Sequence, residues 1–254
     1  DGAGFSALVE AVSGGRDGDF FIMRKHSAEE VMQTVVDLCR KRLPDYYGFS
    51  PEQIQVLTPS RRQAAGTQQL NRMLQDALNP PDACKPEKRY GDTIFRLGDR
   101  VMQVRNNYDI VWEKEHDPEE EGTGMFNGDV GKIVGISLRD ENLCVQFDDK
   151  LAHYTFDMLG ELELAYAMTV HKSQGSEFDA VIVALPAGIG RRLLTRNILY
   201  TAITRAKKLL VLVGDSDVTE TMVHTNTRNR RYSALRARLI RQVPEDTQTS
   251  LEEE

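Results

Sequence analysis

Residues Ala165 to Pro186, AYAMTVHKSQGSEFDAVIVALP, run from an apolar stretch through a short polar knot into a second apolar stretch. This reads as strand, loop and strand of an α/β sheet, where buried strands carry ligand-facing groups at their carboxyl ends. The knot gathers Thr169, His171, Lys172, Ser173, Gln174, Gly175, Ser176 and Glu177 within nine residues. It holds donors, acceptors, a cation and an anion, with a glycine free to adopt positive φ.

Working outward toward the amino end, two strand–helix units precede residue 80. Asp19 to Arg24 reads as a buried strand, and Ser27-Ala28-Glu29-Glu30 as a capping box opening a helix with Val31, Val35, Leu38 and Cys39 at helical spacing. Ile54 to Thr58 predicts a second short strand. Ser60-Arg61-Arg62-Gln63 reads as another capping box, and Leu70, Met73, Leu74, Ala77 and Leu78 carry the helix to a stop at Asn79-Pro80-Pro81. Past the knot, Ala180 to Leu185 predicts a buried strand. Thr195 to Lys207 predicts a helix with Ile198, Leu199, Ala202, Ile203 and Ala206 on one face, and Leu209 to Val213 the last strand. Alternating strands and helices predict an α/β parallel sheet.

From about Lys85 the period changes to two. Val134, Ile136 and Leu138, then Leu143, Val145 and Phe147, then Ala152, Tyr154 and Phe156 alternate with polar or small residues between short polar turns. With Arg100 to Val104 this predicts a small antiparallel β-barrel inserted between α/β elements. The acidic stretch from Trp112 to Asp129 reads as a long, glycine-containing loop within it, expected to be a mobile hairpin tip. The expected domains are 1–84 with 160–243 for the sheet, 85–159 for the barrel, and a disordered tail at 244–254. Before that tail, Tyr232, Leu235 and Leu239 form a narrow apolar stripe amid Arg228, Arg230, Arg231, Arg236, Arg238 and Arg241, either a solvated helix face or a phosphate track.

The 254 residues suffice for one large domain or two smaller ones, and a net charge of −7 excludes a uniformly basic nucleic-acid coat while permitting a local basic groove. Cys39, Cys84 and Cys144 lie far apart with no CxxC spacing, so neither a disulfide scaffold nor a metal site is expected. With no apolar run of spanning length and no signal peptide, the expected location is the cytoplasm, away from membranes.

Residue chemistry points to anions. On the predicted helix before the last strand, Thr201, Thr204, Arg205 and Lys208 share one face. Arg205 there is either a pre-positioned fork for phosphate oxygens or a surface arginine paired with a carboxylate. Arg61 and Arg62, in the first turn of a helix capped by Ser60, read as an anion site or as plain surface cations. His171 has no Asp or Cys at triad or metal spacing. Lys172 has no preceding GxxxxG, and Gly131-Lys132 is followed by Ile133, so the chain has no Walker A motif.

These stretches resemble a known family. TVHKSQGSEFD (Thr169 to Asp179) resembles motif V of superfamily 1 helicases, and LYTAITRAKKLLVLVGD (Leu199 to Asp215) resembles motif VI. LTPSRRQAAGTQQLN (Leu57 to Asn71) is similar to motif IV of the RecD/TraA branch, and FRLGDRVMQVRNNYD with FNGDVGKIVGI to that branch's inserted SH3-type barrel. The resemblance implies the second RecA-like lobe (2A) with its barrel (2B) in a 5′–3′ DNA helicase. The lobe bearing Walker A would be absent, and Ser6 to Gly15 weakly resembles the helix joining the lobes. A truncated piece of a longer enzyme, inactive alone, is the expectation. The resemblance further implies ATP and Mg2+ in the full-length protein, with single-stranded DNA and the N-terminal RecA-like lobe as partners. Arg205 would be an arginine finger and Arg61 a second, with Arg62 as fallback. Gln174, Gly175 and Glu177 would shape the nucleotide site, and Thr169, His171, Lys172, Ser173 and Thr201 the DNA site. Two rivals stay open: the same lobe within a conjugative relaxase–helicase or an exonuclease subunit, and a non-enzymatic single-strand-binding module.

Overall fold

In the computed structural model, residues 18–117 and 119–226 are described. The expected joining helix at Ser6 to Gly15, the arginine-rich stripe from Arg228 and the tail beyond Pro244 lie outside them. The first unit is β1 (Phe20–Arg24) and α1 (Ala28–Asp37), which continues through a π turn at Leu38–Arg42 into α2 (Leu43–Tyr47). The capping box of α1 is present: the Glu30 amide donates to Ser27 Oγ at 3.1 Å, and the Ser27 amide to the Glu30 carboxylate at 3.2 Å. The second unit is β2 (Ile54–Thr58) and α3 (Thr67–Leu78).

Then come β3 (Glu87–Tyr90), β4 (Thr93–Arg96), β5 (Arg100–Gln103), β6 (Asn107–Lys114), β7 (Glu121–Met125), β8 (Val130–Ser137), β9 (Asn142–Phe147), β10 (Lys150–Thr155) and β11 (Leu162–Leu164). The chain returns to the first sheet with β12 (Ala167–Thr169) and β13 (Phe178–Leu185), then α4 (Arg196–Ile203), β14 (Ala206–Gly214) and α5 (Ser216–His224).

The first sheet is parallel, in the order β1-β14-β13-β2-β12. Its strands bury both faces. On β13, Ala180, Ile182 and Ala184 meet Val31, Val35, Leu70 and Leu74 of α1 and α3, while Val181, Val183 and Leu185 meet Leu199, Ala202, Val218 and Met222 of α4 and α5. Each buried aliphatic side chain contributes roughly 1.5–3 kcal/mol by leaving water. β1 is an edge strand and only half-buried, not the buried strand expected.

The second sheet is antiparallel, β11-β5-β8-β9-β10-β6-β7, beside a β3–β4 hairpin. Phe95, Val101, Ile110, Ile133, Leu143, Val145, Phe147 and Tyr154 form its core. The fold class is therefore the expected α/β one, a parallel sheet covered by helices on both faces with an antiparallel sheet inserted between its strands. Two details differ. A register shift between Ile133 and Gly135 turns Ile133 inward and leaves Val134 and Leu138 exposed, so the alternation expected along β8 is displaced by a bulge. The acidic stretch is no long loop: β6 and β7 run into it and pair, leaving only residues 115–120 between them.

Where the sheets meet, Asp99 is fully buried and accepts from Gln75 Nε2 at 2.5 Å, Asn79 Nδ2 at 2.7 Å, the Arg96 amide at 2.7 Å and Tyr166 Oη at 3.0 Å. Burial nevertheless raises its pKa above the ordinary value, against the pull of these donors. Arg96, also buried, pairs with Asp76 of α3 at 3.0 Å and Glu87 of β3 at 2.8 Å. α3 is thereby fastened by polar bonds to the β3–β4 hairpin and to the turn that leads into β5.

Candidate nucleotide and nucleic-acid interface

β12 and β13 are consecutive in the chain but not neighbours, since β2 lies between them. The knot therefore leaves the carboxyl end of β12 and travels back to the amino end of β13. Thr169 is level with Thr58, four residues above the Ile54–Ala180 pair, and Phe178 lies two residues below it. At about 3.3 Å per residue the two ends are roughly 20 Å apart. The knot covers that distance in tight turns: the Lys172 and Ser173 amides donate to the Thr169 carbonyl, and the Ser176 amide to that of Ser173. Gly175 takes φ +89° with open space around its Cα, which a side chain would enter only at a strained backbone angle. Ser173 is fully buried and its hydroxyl donates to the Val170 carbonyl at 2.9 Å. The expectation that Ser173 contacts DNA is corrected, because its hydroxyl braces the turn from inside.

At the carboxyl end stand Thr169, half-buried, and His171, exposed. Lys172 Nζ lies 3.3 Å from Glu163 of β11, whose other oxygen takes Arg61 at 2.5 Å. Arg62 is exposed. The expected capping box at Ser60 is absent. α3 starts at Thr67 behind Gly66, and the Ser60 hydroxyl is buried without a partner among the described residues. The sequence Ala64-Ala65-Gly66 explains the delay: Ala65 takes φ +51°, and a Cβ on Gly66 would meet the Arg61 carbonyl at 2.6 Å. The Thr67 and Gln68 amides donate to the Ser60 and Arg61 carbonyls, so the first two amides of α3 are already taken. Neither arginine is in its first turn.

At the amino end, the Phe178 amide donates to the Arg205 carbonyl at 2.8 Å. The Arg205 guanidinium donates to the Ser176 carbonyl at 2.9 Å, the Thr201 carbonyl at 3.2 Å and Thr204 Oγ1 at 3.2 Å. These three bonds fix the plane of the fork and leave its remaining N–H groups without a partner among the described residues. Glu177 stands beside it, exposed and 3.8 Å from Lys207. Gln174 and Gly175 are exposed on the knot between the two ends. α4 ends at Ile203, earlier than expected: the Thr204 hydroxyl and Arg205 Nε both donate to the Thr201 carbonyl of its last turn. Lys208 accordingly lies on β14, paired with Asp179 at 3.1 Å, and not on the helix face with Arg205. Thr201 turns its hydroxyl back to the Asn197 carbonyl at 2.8 Å.

Arg205 and Glu177 thus share one end of the sheet with Ser176, while Arg61, Lys172 and Thr169 share the other. The two arginines that the resemblance would bring to one phosphate thus follow and precede strands at opposite ends of the sheet. Besides the strand-axis separation, Arg205 precedes β14 and Arg61 follows β2, two strand spacings or roughly 10 Å across the sheet. Sequence reasoning missed Glu163. Its signal was the alternation Glu161-Leu162-Glu163-Leu164 just before the knot, which sets both carboxylates on one strand face. Among the described residues no helix is long and apolar enough to cross a membrane, and no group of His, Cys, Asp or Glu is placed to hold a metal ion.

Comparison with known proteins places this geometry. Residues 70–147 match the family described as ATP-dependent RecD-like DNA helicase SH3 domain, and residues 164–213 the UvrD-like helicase C-terminal domain. The ATP-dependent RecD2 DNA helicase of Deinococcus radiodurans is 32% identical over 189 residues, 74% of this chain and 24% of that protein. The RecBCD enzyme subunit RecD of Mycobacterium tuberculosis is 48% identical over 120 residues, 46% of this chain and 20% of that protein. The chain thus spans about a quarter or less of the length of these curated relatives. A solved structure of Pif1 helicase from Bacteroides, in complex with ADP-AlF3 and ssDNA, aligns with 85% of this chain and 50% of that one at 18% identity and a TM-score of 0.43. The chain carries an SH3 domain of the ATP-dependent RecD-like DNA helicase type at 70–147, followed at 164–213 by a UvrD-like helicase C-terminal domain.

Proposed function

We propose that this chain is the 2A lobe, with its 2B barrel at about 85–159, of an ATP-dependent 5′–3′ DNA helicase working in the cytoplasm. A separate RecA-like lobe would hold ATP and Mg2+, and Arg205 would reach its γ-phosphate while Glu177 accepts from the ribose. Thr169, His171 and Lys172 would grip the backbone of single-stranded DNA. The observation that carries this reading is the knot itself. It bonds Arg205 through the Ser176 carbonyl at one end and turns on the Thr169 carbonyl at the other. The residues fit a triphosphate: Arg205 is an oriented fork with N–H groups to spare, beside an exposed carboxylate. The nucleotide supplies the free energy of phosphoryl transfer. The chain's own part is to stabilise charge at Arg205 and to pass a small displacement along the knot to the DNA end. The lack of a Walker A motif makes the isolated chain inactive as an ATPase.

The test is to purify the chain, measure ATP turnover and binding of a labelled dT20, then repeat both with a Walker-A-bearing lobe joined at its amino end. The expected result is dT20 binding in both and DNA-stimulated turnover only in the joined form. Robust turnover by the chain alone, or none in the joined form, overturns the assignment. Nucleotide-indifferent dT20 binding in the joined form would favour a binding module over a motor.

A further inference from the structure

Three charged groups at the carboxyl end come from three different places. Arg61 follows β2, Lys172 belongs to the knot, and Glu163 lies on β11 of the second sheet. Glu163 uses one oxygen for each cation, at 2.5 Å to Arg61 and 3.3 Å to Lys172. None of the three is deeply buried: the side chains are 53%, 31% and 32% exposed for Arg61, Lys172 and Glu163. All three therefore remain reachable from solvent. A carboxylate bridging two cations is geometrically and electrostatically what a phosphodiester oxygen pair offers. Glu163 also lies four residues before the start of β12, whose last residue, Thr169, opens the knot.

We propose that Arg61 and Lys172 form one phosphodiester-binding pair, and that Glu163 is its resident counter-ion, displaced when the backbone of single-stranded DNA enters. This rests on the reading of the chain as a DNA-binding lobe, and it moves Arg61 from the nucleotide to the DNA. Glu163 weakens resting affinity, since DNA must compete with an intramolecular carboxylate. It also ties DNA entry to the second sheet, because Glu163 is a residue of β11. The exchange is neutral for the protein: one anion leaves the two cations as another arrives, and no bond is made or broken covalently.

The experiment is fluorescence-anisotropy titration of dT20 with the full chain, from 50 to 300 mM salt, comparing parent with Glu163→Gln, Arg61→Ala, the double variant and a charge-matched control, Glu113→Gln on β6. Glu163→Gln is expected to tighten binding by about threefold to tenfold and steepen the log–log salt slope by about 0.7, the value of one further neutralised phosphate on a single strand. Arg61→Ala should weaken binding, and in the double variant the gain from Glu163→Gln should be mostly lost. The proposal is overturned if Glu163→Gln binds no tighter than parent, or if Glu113→Gln gives the same gain, which would mark a diffuse field effect. Should Glu163→Gln fail to fold by circular dichroism, Glu163→Asp, which keeps the charge but shortens the reach, carries the same expectation and the same refutation. Absence of dT20 binding by every variant overturns both this proposal and the reading beneath it. Binding by the parent with no response to Glu163 overturns this proposal alone.

Discussion

The two ends of the parallel sheet use arginine differently. At the amino end Arg205 is held by three hydrogen bonds to neutral oxygens, two of them backbone carbonyls, and makes no ion pair among the described residues. At the carboxyl end Arg61 extends from an irregular loop and meets a carboxylate at 2.5 Å. A guanidinium fixed by carbonyls keeps its full field for an incoming anion and loses little entropy on binding, as a transition-state stabiliser requires. One paired with a carboxylate must give up that partner first, and its interaction with a ligand is an exchange. The difference teaches that arginine count says less about phosphate chemistry than what already occupies each arginine's donors.

The sharpest way to break this contrast is at Arg205. In a polypeptide joining the chain to a Walker-A-bearing lobe, Arg205→Ala should lower DNA-stimulated ATP turnover by about 10³-fold or more, the usual worth of an arginine finger. Arg61→Ala should leave turnover at saturating DNA within about tenfold and act instead on DNA affinity. Equal losses from the two substitutions would show both arginines at one phosphate group and dissolve the two-end description.

A second expectation concerns the seam supporting the carboxyl end. Asp99→Ala leaves four buried donors from α3, the β4–β5 turn and Tyr166 without their acceptor. Urea unfolding should show a loss of about 3 kcal/mol or more. A loss below about 1 kcal/mol would mean the seam is held by apolar packing and the polar hub is dispensable.

A smaller effect is expected in the knot. Gly175→Ala meets no neighbour within 4 Å but must hold φ near +89°. It should cost about 1–2 kcal/mol from backbone strain alone. In the joined form it should uncouple the ends, so that DNA stimulates turnover less while binding persists. Unchanged stimulation would show that the knot does not transmit between them.

The smallest expected effects are in pH dependence, and they have opposite signs at the seam and at the amino end. Burial raises Asp99 above its ordinary value near 3.8, so its stabilising contribution is full below that value and lost as pH rises through the folded pKa. The Lys208 hydrogen bond, with further help from Gln53, lowers Asp179, so its contribution is present above 3.8 and lost as pH falls through the folded pKa. Thermal melts of parent, Asp99→Asn and Asp179→Asn from pH 3 to 7 should show the first difference shrinking and the second growing as pH increases. The same trend for both would remove the distinction.

Much of this architecture was legible in the chain because the signals are local. Ser27 and Glu30 satisfy each other within a single turn, so their capping box reads directly from four letters. β2 and β13 are continuous apolar runs, the pattern of strands buried on both faces. The similar-looking box at Ser60 failed because two carbonyls of the same loop reach the helix amides first. That competition depends on Ala65 at positive φ and on Gly66 passing close to the Arg61 carbonyl. The bulge after Ile133 was hidden for a similar reason, since a strand with one extra residue still alternates on either side of it.

Local pattern by itself determined that there are two kinds of sheet, where the main strands of the parallel one lie, and that the Thr169–Glu177 stretch is the chemically dense connection. Period and composition are properties of neighbours in the chain, and burial follows from them. Only the tertiary structure decided that this connection runs from one end of the sheet to the other, that Arg205 and Arg61 lie at opposite ends, and that Glu163 sits between Arg61 and Lys172. Strand order and the placement of a side chain against residues 9 or 102 positions away depend on how separate elements pack, which spacing along a chain does not encode.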